Sequence, residues 1–301
     1  MNYFLLVLTY GAYVFITVMY TMKAVKFLLL PRHLRWELYP VMHEARYRYG
    51  GSRFEEMDFR DRPGRKGRAR SAWYLFREYV TLSEYFKRHK SYWLPLYLWH
   101  VGFMLIIAFH VCTFLAALAM RAGLPVEAGS PFLAGSVVYY ALLLMGVVSF
   151  ASGLLGSIGV AAKRLSDENL GSYATPQNYF TYFFCLVVFA SGLYAWYFVD
   201  PTFSEYRRFW LGLIVFRPIT VAPAAMLHIV LFDLFLLYLP FTRSMHYITR
   251  IFAFFLIRWD DEPNLRGSRL EAQLVEQFRS RVTWAGPHIK SGETWADQVK
   301  G

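Results

Sequence analysis

"WLPLYLWHVGFMLIIAFHVCTFLAALAM", residues 93–120, contains no Asp, Glu, Lys or Arg. A helix rising about 1.5 Å per residue needs about 20 apolar residues to cross the roughly 30 Å hydrocarbon layer of a bilayer. The stretch meets that length, and so do 3–22, 133–162, 180–199 and 219–239. A further apolar piece, 209–216, is too short to cross and reads as interfacial. The expected fold is therefore all-α, an integral membrane bundle of five transmembrane helices. Composition agrees: the chain is 56% hydrophobic and 19% aromatic, more than a soluble domain of 301 residues needs to fill a core.

Charge sets the expected orientation. Between the first two spans lie the basic runs "RDRPGRKGRAR" and "FKRHK", and Lys163 and Arg164 follow the third. Eight more Lys and Arg lie between Arg250 and Lys300. The alternate loops hold only Arg121, Arg207, Arg208 and Arg217. The positive-inside rule then places the N-terminus outside, and the segment between the first two spans and the C-terminal tail in the cytoplasm. The formal net charge of +11 reads as topology and as contact with anionic lipid, not as nucleic-acid binding.

Four segments follow: 1–30 as the first transmembrane helix, 31–91 as a cytoplasmic segment, 92–257 as a four-helix core and 258–301 as a cytoplasmic tail. "MNYFLLVLTYGAY" lacks a basic n-region and a small-residue cleavage pattern, so it reads as a retained helix. "SAWYLFREYVTLSEYF" reads as one amphipathic helix along the membrane surface. The tail offers one helical stretch, "SRLEAQLVEQFRSRV", and then an irregular end. No internal repeat is visible. The only cysteines, Cys112 and Cys185, lie inside spans, which excludes a four-cysteine iron–sulfur cluster and a c-type haem attachment on this chain.

Eight histidines are present. His33, His43, His89 and His288 lie in polar segments and read as solvated. His100 and His110 are on the second span; His228 and His246 are on the fifth or its extension. Ionisable groups at bilayer depth are costly and face a bundle interior. If the second span runs outward and the fifth inward, His100 meets His246 on the inner side and His110 meets His228 on the outer. Paired neutral imidazoles suit the axial positions of a haem iron. Eighteen residues make about five full helical turns, so His228 and His246 would share a face, whereas ten residues offset His100 and His110 by about 80°. The two rises, roughly 27 Å and 15 Å, do not match, and Pro240 and helix tilt must absorb the difference. A structural role, a metal site or a proton relay in a transporter remain alternatives on spacing alone.

"LHIVLFDLFLLYLPFTRSMHYITRIF", with "PFTRSMH" at its centre, resembles the histidine-bearing helix of the cytochrome b (gamma) subunit family of respiratory nitrate reductase. The pair of histidines ten apart on the second span and "ATPQNYFTYFFCLVVFASGLY" add to the likeness, which covers about residues 92–257. The long polar segment before the second span and the tail "VTWAGPHIKSGETWADQV" are more similar to membrane subunits of Tmc-type and Dsr-type redox complexes of sulfate respiration, Tmc-type above all, and of membrane-bound heterodisulfide reductase.

The resemblance implies two haem b groups ligated by His100/His246 (inner) and His110/His228 (outer). It implies exchangeable menaquinone, a cytoplasmic heterodisulfide reductase-like iron–sulfur subunit and, often, a periplasmic multihaem cytochrome c, in a bacterial or archaeal cytoplasmic membrane. Such a subunit is quinone-reactive only within its complex. Arg243, three residues before His246, is a candidate partner for a haem propionate, or else an interfacial snorkelling arginine. Asp233 departs from the nitrate reductase pattern. It is a candidate proton carrier for quinone chemistry, or else an acid hydrogen-bonded between the fourth and fifth spans. An electron conduit without a quinone site is the remaining alternative within the family.

Overall fold

The computed structural model of this chain describes residues 2–29, 68–256 and 266–300. His33, His43, the Gly50–Gly51 pair and most of the basic run at 60–70 lie outside the described residues. Among these residues the chain is all-helical, without a strand. In chain order the helices are α1 (Asn2–Leu28), α2 (Arg68–Thr81), α3 (Ser83–Arg88), α4 (Lys90–Arg121), α5 (Leu133–Ser166), α6 (Glu168–Ser172), α7 (Pro176–Phe198), α8 (Ser204–Ile214), α9 (Pro223–Tyr238), α10 (His246–Leu256), α11 (Arg269–Phe278) and α12 (Trp295–Lys300). Five helices are long and apolar enough to cross a membrane: α1, α4, α5, α7, and α9 with the turn that carries it to Phe241.

The helix ends follow local chemistry. Thr175 and Asn178 form a reciprocal capping box at the start of α7, with Pro176 in the first turn. The fifth span starts at Pro223, later than its hydropathy suggests, because proline fits the first turn of a helix and does not continue a preceding one.

The chain divides into two compact units, one of residues 1–20 and 77–244, the other of 21–76 and 245–301. In the first, α4 and α5 pack closely and antiparallel. The Ser149 hydroxyl donates to the Gly102 carbonyl at 2.9 Å. A Cβ on Gly102 would lie 2.5 Å from the Gly153 Cα, so this crossing needs glycine. Close backbone approach of this kind holds helices together where lipid tails are as apolar as leucine. Around the seam, Phe109, Leu142, Phe150, Cys185, Val188, Phe189, Phe232 and Phe235 form the buried core.

α8 takes in 209–214 of the apolar piece at 209–216, and Phe216, just past its end, is exposed. Phe209, Trp210 and Leu213 are buried with Leu5, Ala117 and Ile229. The Asp200 carboxylate caps α8, accepting from the backbone N–H of Ser204 at 2.7 Å and of Glu205 at 2.9 Å.

The helix expected over "SAWYLFREYVTLSEYF" is two helices. Leu82 takes a left-handed conformation (φ 49°) between α2 and α3. The buried Glu78 carboxylate accepts from the Ser83 hydroxyl at 2.5 Å and the Glu84 N–H at 2.9 Å, which satisfies the start of α3.

In the second unit the tail is more ordered than its sequence suggests. After α11, Val282 N–H donates to Glu293 and Gly292 N–H to Val282, at 2.8 and 2.7 Å. Thr294 and Asp297 then cap α12. The Thr294 hydroxyl holds the Asp297 carboxyl below its usual range.

Candidate functional site

His110 projects from α4 into the core. Its Nδ1 lies 2.7 Å from the Ile106 carbonyl oxygen. A carbonyl only accepts, so Nδ1 is the donor, and in the neutral ring Nε2 keeps its lone pair. That Nε2 is buried and has no hydrogen-bond partner among the described residues. Unpaired buried polar atoms are uncommon and call for an occupant or a role. The ring stacks on Phe232 at 4.0 Å and meets Tyr206 edge-on at 5.7 Å.

His228, on α9, has the same polarity. Its Nδ1 lies 3.0 Å from the Ser191 hydroxyl, which itself donates to the Val188 carbonyl. With its proton committed to Val188, Ser191 accepts from Nδ1, which again leaves the ring lone pair on Nε2. His228 is buried and packs edge-on against Phe150 at 5.2 Å. Phe232 contacts both imidazoles, and Phe109, which is beside His110, packs on Phe150. Two helices thus bring His110 and His228 to one aromatic cluster. A cavity of about 20 Å³ lies against it, lined by Phe109, Phe150, Asp200, Phe203, Tyr206 and His228.

His100 is half-buried one residue after Trp99, and its Nδ1 is 2.8 Å from the Leu96 carbonyl. It therefore has the same donor assignment as His110. His246 differs: it belongs to the second compact unit and is exposed at the first position of α10. The count of five full turns between His228 and His246 assumes one continuous helix, and the chain does not provide it. α9 ends at Tyr238, Leu239–Phe241 and Arg243–Met245 are 3-10 turns, and Thr242 between them is extended. Pro240 lacks the N–H that an α-helix would use, and the Thr242 and Ser244 hydroxyls both donate to the Leu239 carbonyl, at 2.7 and 2.8 Å. "PFTRSMH" is thus a helix break, with Arg243 exposed in its second turn.

Asp233 is almost fully buried, and its partner is on the first span. The Thr9 hydroxyl donates to its carboxylate at 2.6 Å. The acid therefore ties α9 to α1, not to α7 as the structural alternative expected.

Several residues of this region escaped sequence reasoning. Ser191, which orients His228, reads in the sequence as one small residue among apolar ones. Thr9, Tyr13 and Tyr206 approach Asp233 from α1 and α8. Arg207 is buried, with its guanidinium 5.5 Å from the Tyr139 ring and donating to the Thr202 carbonyl at 2.7 Å. Their signal is that each is a polar side chain within or next to an apolar run.

Among the described residues no three His, Cys, Asp or Glu side chains converge as a metal-ion cage. Comparison with protein-family models, with curated proteins and with solved structures finds no match.

Proposed function

We propose that this chain is the di-haem b membrane subunit of a respiratory redox complex. It would lie in a bacterial or archaeal cytoplasmic membrane, N-terminus outside, and move electrons across it. The observation that carries the reading is His110, a buried imidazole whose Nδ1 is committed and whose Nε2 has no partner, beside a second histidine of the same polarity. By donor chemistry and tautomer, His110 and His228 would be the residues to hold a haem b. The adjoining cavity, at about 20 Å³, has room for a water and not for a macrocycle, so the aromatic lining must open around one. The second pair, His100/His246, rests on sequence spacing.

Haem b, when bound, supplies reversible one-electron chemistry. The chain's own residues do the rest. The Ile106 carbonyl and Ser191 hydroxyl fix the two imidazoles, Phe109, Phe150 and Phe232 exclude water, and Arg243 offers a cation for a propionate. In this reading Asp233 holds a proton for menaquinone. The inner exchange partner in this reading is a cytoplasmic iron–sulfur subunit of heterodisulfide reductase type, as the family resemblance implies. A periplasmic multihaem cytochrome c is the outer partner in this reading, and sulfate respiration its setting.

The test is a pyridine haemochrome assay on the purified protein. About two haem b per chain are expected from two axial pairs, and a value near zero removes the reading. Quinol-driven haem reduction tests the quinone arm. Asp233→Asn keeps the shape, and slowed reduction with intact spectra is expected. Kinetics unchanged from pH 6 to 8 would leave Asp233 a structural role.

The water-sized cavity favours one second reading, a non-haem membrane protein that relays protons through its buried histidines. A visible spectrum without b-type bands selects it.

A further inference from the structure

α5 is longer than a bilayer needs. It has 34 residues, against 23 in α7, which packs along it. No Asp, Glu, Lys or Arg occurs from Leu133 to Ala162, and Lys163 and Arg164 close the run in the last turn. At about 1.5 Å per residue α5 is about 50 Å long, where the hydrocarbon layer is roughly 30 Å thick.

Contacts fix which end is in excess. Trp99 of α4, Gly156 of α5 and Tyr182 of α7 lie at one level. A Cβ on Gly156 would run into the Trp99 backbone, and the Trp99 and Tyr182 rings meet edge-on at 5.3 Å. From that level toward Lys163, the three helices end within about one turn of each other. In the other direction α4 and α5 outrun α7 by about two turns, roughly 10 Å. A tilt of roughly 50° would fit α5 to the layer, but spans tilt by about 0–40°. The same tilt would leave α7 a crossing of only about 22 Å. The excess end of α5 therefore stands clear of the hydrocarbon.

The exposed face of α5 stays apolar to that end. Val137, Leu144, Ala151, Ile158 and Leu165 recur every seven residues, and a second row, from Ala141 to Ala162, fills the gaps. Both rows are exposed except at the half-buried Ala151. Leu133, at the excess end, is 82% exposed. A seven-residue apolar repeat is the geometry of a left-handed helix pair, and its alanines leave room for larger side chains opposite. Lipid covers such a ridge within the hydrocarbon layer. Beyond the layer, contiguous apolar surface calls for protein. A span of ordinary length would leave the excess end bare. A second copy, related by a two-fold axis along the membrane normal, brings a ridge of equal length at equal height, so both ends are covered at once. Lys163 falls outside the two rows, and Arg164 turns into its own bundle, its guanidinium 6.0 Å from the Tyr182 ring centre.

We infer that this chain pairs with a second copy of itself in the membrane, the two packing in parallel, ridge to ridge, along α5. The inference needs neither haem nor quinone, so its failure leaves the proposed function untouched.

Oxidative cross-linking in native membranes tests it. Leu144→Cys and Leu155→Cys place a thiol on each row, and Phe183→Cys, exposed on α7, is the control. The two ridge variants should give several-fold more disulfide-linked dimer than the control or the unaltered protein, whose own thiols are Cys112 and Cys185. Dimer no greater than the control, or linkage to a different polypeptide, overturns the inference. Ala141→Trp overfills the seam and should weaken the dimer about tenfold or more, whereas Phe183→Trp should not. Equal pairing in Ala141→Trp counts against the ridge. The last arm needs no variant: single-molecule photobleaching counts copies of the labelled, unaltered protein in phosphatidylcholine vesicles. Two-step traces are expected, fewer of them as longer acyl chains thicken the bilayer and cover more of the ridge. One-step traces throughout, or a pair fraction that ignores thickness, overturn the inference.

Discussion

His110 and His246 carry the same side chain in opposite settings. His110 is in the middle of a long helix, buried, with one nitrogen committed and the other unpartnered. His246 opens a short helix after two 3-10 turns and is exposed. Near His110 the backbone is fully used by helix bonds, and the surroundings are aromatic. Near His246 the backbone is interrupted by Pro240, and side-chain hydroxyls close the turn. A buried, preoriented imidazole is a ligand in waiting. An exposed one at a helix break has its geometry set by whatever else meets it. The first histidine thus explains itself within its own helix bundle, and the second does not.

The largest expected effect tests that contrast directly. His110→Ala and His228→Ala should each abolish the same b-type spectral component, taking haem content from about two to about one per chain. The other component should persist in both. If His110→Ala instead shares its spectral loss with His246→Ala, the pairing is wrong and the two settings are parts of one site.

Truncation comes next and probes the His246 side. The tail is a small structured element, with α12 capped by Thr294 and Asp297 and with backbone bonds between Val282 and both Gly292 and Glu293. Removing residues 283–301 should free the iron–sulfur partner during purification while haem content stays unchanged. Retention of the partner at normal strength would count against a docking role for the tail.

Ser191 allows a finer measurement. Ser191→Ala removes the acceptor for His228 Nδ1 and leaves the ligand nitrogen in place. Losing such a support costs about 10-fold or more in retention of the bound group. The outer component should wash out faster or shift its spectrum, with the inner one unaffected. Equal changes in both components would mean that the two sites are not separable.

The same contrast explains what the sequence could reveal. The five spans were legible because the bilayer imposes one length on one kind of residue, and a run such as 93–120 satisfies it without ambiguity. The buried polarity of His110 was legible for the same reason. The break between His228 and His246 was half legible. Pro240 was in view, but counting turns through it presumed a helix that proline does not sustain. α8 could not be placed, because an apolar piece of eight residues looks alike on a surface and inside a bundle. Thr9 as the partner of Asp233 was invisible, since 224 residues separate them and no local pattern joins them.

That pair supplies the smallest effect and the sharpest control on how α1 is held. Thr9 and Asp233 are both almost fully buried, so their bond is shielded from water. Thr9→Val keeps the volume and removes the donor, leaving a buried carboxyl short of a partner. A loss of about 1–3 kcal/mol is expected, read as a lower thermal midpoint in detergent. Asp233→Asn should cost less, because its amide oxygen still accepts from the Thr9 hydroxyl. The double variant Thr9→Val with Asp233→Leu should recover much of the loss, since replacing both partners by apolar groups of similar shape removes the unmet polarity altogether. If the double variant is as unstable as the sum of Thr9→Val alone and Asp233→Leu alone, the bond contributes nothing specific, and α1 is held by apolar packing alone. If it recovers, the pair acts as a polar pin between α1 and α9.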